Sequence, residues 1–153
     1  MDPASLFLEV TESVFLADGA RTLTVLKEIN DLGVALILDD FGTGYSSLNY
    51  LRRFPFEILK IDRAFTHSMS GDPRSRTIVS AVIDLAHGLD LTVVAEGVET
   101  GEQLAGLALL GADRAQGYYL AHPLLADEFE RSLLEPADGL PIHLPLLAEP
   151  SRT

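Results

Sequence analysis

Short apolar runs alternate with helically spaced ones along this chain, and that alternation restricts the fold more than any other feature. Segments 6–10 (LFLEV), 34–39 (VALILD), 58–62 (ILKID) and 91–95 (LTVVA) read as strands, and 117–120 (GYYL) as a weaker fifth. They are short, rich in Val, Ile, Leu and aromatics, and bounded by turn residues. Between them the period becomes helical. Val25, Ile29 and Leu32 fall at i, i+4 and i+7, and Gly33 follows as a stop. Ile78, Val82, Leu85 and Leu89 repeat the theme after Asp72-Pro73, a cap with proline at the first helical position. Thr100 and Gln103 have capping-box spacing ahead of Leu104 and Leu107, and Gly111 ends that helix. Residues 127–134 read as a last helix. Near-continuous apolar strands separated by helices require a parallel sheet covered by helices, so five βα units are expected.

Composition narrows the class. A length of 153 residues suits one domain with a sizeable core. Asp and Glu number 23 against 11 Lys and Arg, a net charge of -12. Such a surface repels nucleic-acid backbones and anionic lipid, so no duplex nucleic acid is expected as a partner. The absence of cysteine excludes disulfides and thiolate metal sites. No apolar run approaches about 18 residues, and the N-terminus lacks a basic region and cleavage site. A cytoplasmic acidic domain is expected, which needs metal cations to hold an anion. Residues 135–153, with Pro136, Pro141, Pro145 and Pro150, read as a Pro-rich C-terminal tail. His67, His87, His122 and His143 show no ligand spacing and read as surface or tail residues.

The acids fall at strand ends. Glu9 closes the first strand, Asp39 and Asp40 the second, Lys60 and Asp62 the third; Glu96 follows the fourth and Gln116 opens the fifth. In a parallel sheet these ends lie on one side, where ligands bind. Alternation puts Ala35, Ile37 and Asp39 on one face, with Lys60, Asp62, Thr92, Val94 and Glu96, and turns Leu59 and Ile61 toward the helices. Converging carboxylates repel unless cations bridge them, and hard oxygen ligands suit Mg²⁺ or Mn²⁺. Taken singly, Asp40 or Glu96 also reads as a helix cap, and Lys60 as a surface lysine. The Gly-rich turn 39–48 (DDFGTGYSSL) offers hydroxyls and free backbone N–H groups, or is an ordinary strand-to-helix turn capped by Ser46 or Ser47.

LEVTES, DDFGTGYSSLNYL, LKID, AEGVET and LGADRAQGYYLAHP, in this order, resemble the EAL-domain family of cyclic di-GMP phosphodiesterases. The resemblance covers about residues 6–134. It implies a TIM-like α/β fold, a modified (β/α)₈ barrel with one antiparallel strand, and cleavage of cyclic di-GMP to linear pGpG with Mg²⁺ or Mn²⁺. It implies Glu9 as a metal ligand, Asp39 as the aspartate shared between two metals, and Asp40 as the second-metal ligand. Lys60 matches the lysine that hydrogen-bonds the attacking water or phosphate, and Glu96 the carboxylate acting at the second metal or as a base. Glu12 matches the anchor of the substrate loop Phe41, Gly42, Thr43 and Gly44. Glu99 matches a neighbour of the catalytic carboxylate, and Gln116 the amide completing the site.

The family's Glu-Ala-Leu motif and its further asparagine ligand do not occur in these residues. A full barrel needs about 250 residues. The expectation is therefore a partial barrel, residues 1–134 forming the C-terminal portion of the domain as its last five βα units, with Met1 an internal start. A catalytically inactive cyclic di-GMP-binding or protein-interaction module is the alternative. A flavodoxin-like phospho-acceptor domain also fits five βα units and the Asp39-Asp40 pair. Open edges beside 6–10 and 117–120, with an inner face of Phe7, Ile37 and Val94, lead to an expected homodimer or other self-association. Sensory or GGDEF-type domains of a longer parent, membrane-attached or not, are the further partners the resemblance implies.

Overall fold

The alternation of strand and helix closes into a single parallel sheet in the computed structural model, which describes residues 2–15, 19–42 and 48–134. In chain order the elements are β1 (Phe7–Thr11), α1 (Gly19–Asp31), β2 (Ala35–Phe41), α2 (Leu48–Arg53), β3 (Phe56–Ile61), α3 (Arg63–Ser68), α4 (Pro73–His87), β4 (Thr92–Ala95), α5 (Gly101–Leu110), β5 (Arg114–Ala115) and α6 (Ala126–Leu134). Single 3₁₀ turns span Pro3–Ser5 and Glu12–Phe15. The tail 135–153, with His143, and the loop residues Thr43 and Gly44 lie outside the described residues.

Strand order is β1-β2-β3-β4-β5, every neighbouring pair parallel. Each crossover thus advances by one strand in the same direction. Right-handed crossovers then put the connecting helices on one face, as in the wall of a (β/α) barrel. A flavodoxin-like sheet reverses direction after its first unit and runs 2-1-3-4-5. The observed order excludes it, and the fold is a partial barrel wall of the TIM-like type.

The two faces of the sheet have different fates. Val10, Leu36, Leu38, Leu59, Ile61, Val93 and Ala95 point toward the helices and form one core with Leu26, Val79, Ile83, Ala86 and Leu107. Leu59 and Ile61 therefore face the helices, as alternation requires. The other face carries Phe7, Glu9, Ile37, Ile58, Lys60 and Val94, in registers that pair Glu9 with Ile37 and Lys60 with Val94. Its cover is uneven: Phe7 on the edge strand is 52% exposed, while Ile37, Ile58 and Lys60 are buried.

The fifth strand is a correction. It lies at Arg114–Ala115, and 117–120 is a turn. Leu120 N and Ala121 N both donate to Gly117 O, and Tyr119 N donates to Val98 O. Gly117 sits so close to the Val98 backbone that a methyl there would lie 2.7 Å from Val98 C. The aromatic pair that resembled a strand is thus folded over the loop after β4.

Helix ends follow the sequence signals. Asp72 accepts from Arg74 N and Ser75 N at 3.0 and 3.2 Å. Thr100 Oγ1 accepts from Gln103 N at 3.2 Å, and the buried Gln103 amide oxygen accepts from Glu99 N and Thr100 N. Thr100→Ala removes half of this reciprocal cap and should lower stability by about 1 kcal/mol. Urea denaturation checks it, and no change would mean water satisfies the freed N–H. No helix among the described residues is long and apolar enough to cross a membrane.

Candidate functional site

Lys60 is the centre of the strand-end rim. It follows Ile58 on the site face of β3 and is itself 6% exposed. Its Nζ lies 2.9 Å from Glu9 Oε1, 3.2 Å from Asp39 Oδ1 and 2.6 Å from Glu96 Oε1. One ammonium with three donors is matched to three carboxylates from β1, β2 and the end of β4. Burial by itself would lower the lysine pKa. The hydrogen bonds to Glu9 and Glu96, the Glu96 charge and the bond to Asp39 outweigh it, so the ammonium is held above its usual range.

A β-bulge brings the second aspartate in. Leu38 pairs with Leu59 and Phe41 with Ile61, so Asp39 and Asp40 together oppose Lys60. In a regular strand Asp40 would follow Leu38 to the helix side. The extra residue and a left-handed backbone at Asp40 (φ +55) turn it back, with its N–H donating to Asp39 Oδ1 at 3.0 Å. Oxygen atoms of Asp39, Asp40 and Glu96 then lie within 4.8 Å of one another. Burial raises the pKa of Asp40, helped by the charges of Asp39 and Asp62. Burial also raises Glu96, and the neighbouring Lys60 only partly offsets it. In both cases burial is the larger cause, and the neighbouring carboxylate charges add to it.

This donor set fits a divalent cation: three hard carboxylate oxygens within bridging reach at the strand ends. Glu9 joins the group through Lys60 and is not one of the three oxygens closest together. Glu12 Oε1 faces Gly42 N at 3.5 Å, just past the partly buried Asp40. Phe41 is buried in the core. Glu99 lies away from the cluster, 3.4 Å from His67 Nε2. Gln116 is exposed at the end of β5, its backbone bonded to Ala95 O and Val98 N. Asp62 caps α3, accepting from Ala64 N at 2.9 Å. The capping role considered for Asp40 or Glu96 therefore belongs to this third strand-end acid.

Two features were not legible in the residues. His87 is tied down: its Nε2 lies 2.9 Å from Asp113 Oδ2, which also accepts from Val93 N at 2.7 Å. Phe65 and Arg63 pack on the loops behind Asp40 and Glu96. Neither shows in a spacing rule, because each contact joins residues from separate βα units.

Comparison with known proteins gives one answer. The family model described as "EAL domain" matches residues 1–123. The bifunctional diguanylate cyclase/cyclic di-GMP phosphodiesterase MucR of Pseudomonas aeruginosa is 44% identical over 133 residues, covering 87% of this chain. A solved structure titled "PaMucR Phosphodiesterase, c-di-GMP complex" matches with TM-score 0.80 at 44% identity, over 84% of this chain and 52% of that one. Klebsiella pneumoniae BlrP1, solved as a manganese/cy-diGMP complex, matches with TM-score 0.76 at 34% identity, over 80% of this chain and 31% of that one. The chain spans only 19% of the length of MucR.

Proposed function

The chain belongs to the EAL domain family, and from that premise we propose that it forms part of a phosphodiesterase site that opens cyclic di-GMP to linear pGpG. The observation carrying this reading is the rim itself: Lys60 within 3.2 Å of Glu9, Asp39 and Glu96, beside three carboxylates with oxygens within 4.8 Å of one another. Asp39, Asp40 and Glu96 would hold divalent cations, Mg²⁺ or Mn²⁺, with Glu9 reaching them from β1. Bound there, such cations lower the pKa of a water and neutralise phosphodiester charge.

The remaining work falls to the chain's own groups. Lys60 keeps its proton at neutral pH, so it serves as a donor that orients the attacking water or a phosphate oxygen, not as a base. Glu96, with its raised proton affinity, is suited to take the water proton as the new P–O bond forms. The broken P–O3′ bond leaves a 3′-hydroxyl, which needs one proton in return. Gly42, whose N–H faces Glu12, would begin the stretch beside the substrate, with Phe41 anchoring it in the core. Gln116, at the end of β5, would supply an amide to the same rim, whereas Glu99 is taken up by His67. The apolar face around Phe7 supports self-association or docking to other parts of a longer parent protein, GGDEF-type or sensory.

A binding module without turnover is the second reading, favoured because the 153 residues contain no Glu-Ala-Leu tripeptide. Incubation with cyclic di-GMP and Mn²⁺ separates the two. The phosphodiesterase reading expects Mn²⁺-dependent binding of cyclic di-GMP with pGpG formed. Binding without pGpG would favour the module. No binding in Mn²⁺ would overturn both readings.

A further inference from the structure

The start of α3 touches the chain just past Asp40 and just past Glu96. Gly42, two residues after Asp40, has φ +98, and a methyl there would overlap the Phe65 ring, 2.8 Å from its Cζ. Gly97, directly after Glu96, has φ +67, and a methyl there would overlap Arg63 Cβ and lie 3.1 Å from Arg63 Cα. Only glycine combines that backbone with that closeness. Two left-handed glycines, each just behind a carboxylate of the cluster, are therefore pressed against residues 63 and 65 of one short helix.

The helix is itself anchored. Asp62 caps it, Thr66 and Met69 are buried beneath it, and His67 reaches Glu99 in the loop after β4. Topology gives the contact its purpose. Asp40 lies at the end of β2 and Glu96 directly after β4, strands that are separated by β3 and share no backbone hydrogen bonds. Their carboxylates, drawn close to Asp39, repel one another. Through β3 the sheet joins the two strands only as far as Ile61, which pairs with Phe41 and whose O accepts from Glu96 N; past that point α3, leaving the intervening strand, lies against both.

We propose that Phe65 and Arg63 are positioning residues: α3 braces the loops after β2 and β4 into one unit and so sets the spacing of Asp40 and Glu96. The proposal rests on the phosphodiesterase reading only for what the cluster holds; the bracing belongs to the metal-free fold. Arg63 makes its contact through Cα and Cβ, so Phe65 is the half that side-chain substitution can test, and Gly97→Ala tests the other side.

The full chain is measured in two ways. Without metal, Phe65→Ala should speed backbone hydrogen exchange at residues 40–42 and 96–98 together, leaving Val79 and Ile83 in α4 at wild-type rates. With Mn²⁺ alone as the probe, Phe65→Ala and Gly97→Ala should each weaken binding about tenfold, the scale for residues that orient ligands. Phe65→Leu should retain most of the affinity, and it replaces Phe65→Ala should that variant not fold. Unchanged exchange in the two loops, a uniform rise across the chain, or wild-type Mn²⁺ affinity in Phe65→Ala would each overturn the brace. A wild-type chain that binds no Mn²⁺ would defeat the functional reading instead, and the exchange rates would then decide the brace by themselves.

Discussion

Replacing Lys60 by methionine is expected to cost about 3 kcal/mol of folding stability at neutral pH. Methionine fills the volume of the lysine stem, so the loss is electrostatic rather than a cavity. Removing one partner of a buried ionic group typically costs about 3–5 kcal/mol because the other charges remain unpaired. The lower end applies here: the Glu9 side chain is 50% exposed, while those of Asp39 and Glu96 are only 17% and 19% exposed. Water screens the first and not the others. The dependence on pH follows from the direction of the shifts. The folded-state pKa of Lys60 is raised, so its contribution is fully present below the ordinary lysine value and lost only as pH climbs through the folded one. In the variant the freed carboxylates gain protons readily, so the deficit should shrink below about pH 4 and be full at pH 7. Urea denaturation of both proteins at the two pH values measures it. Equal stability at pH 7 would show that water already screens the cluster.

Mn²⁺ should stabilise the wild-type chain by about 2.7 kcal/mol at one hundred times its dissociation constant, and Asp39→Asn should abolish the gain. The asparagine keeps the shape of the side chain and removes one oxygen charge from the centre of the cluster. Proton and cation compete for the same place. Asp40 and Glu96 have raised folded-state pKa values, so their favourable contribution is present below the ordinary carboxylate range and lost as pH rises through the folded values. A bound cation takes over above that point, and the increment should be larger at pH 7 than at pH 5. Denaturation midpoints with and without Mn²⁺ test this. An equal gain in Asp39→Asn would place the metal elsewhere.

Local signals carried much of the architecture. The strand ends of β1 to β4 fell within two residues of the apolar runs, because short buried strands need uninterrupted Val, Ile and Leu. Asp72-Pro73 and the Thr100/Gln103 pair announced their helices because caps depend on a few neighbouring residues. The fifth strand was misplaced for the opposite reason. Tyr118 and Tyr119 have strand propensity, but Gly117 against the Val98 backbone makes them a turn, and that contact joins two separate loops.

The site divides in the same way. Period-two alternation by itself put Asp39, Lys60 and Glu96 on one face, since side-chain direction in a strand is set by counting along one chain. The order of five βα units determined that their ends meet on one side. In an unbulged β2 Asp40 would point to the helix side, yet it belongs to the cluster. Only the tertiary structure decided that: the bulge exists because β2 carries one residue more than β3 between paired positions. The surplus becomes definite only when the two strands hydrogen-bond. The packing of Phe65 on Gly42 and Arg63 on Gly97 is of the same kind, a contact between units that no single stretch of sequence contains.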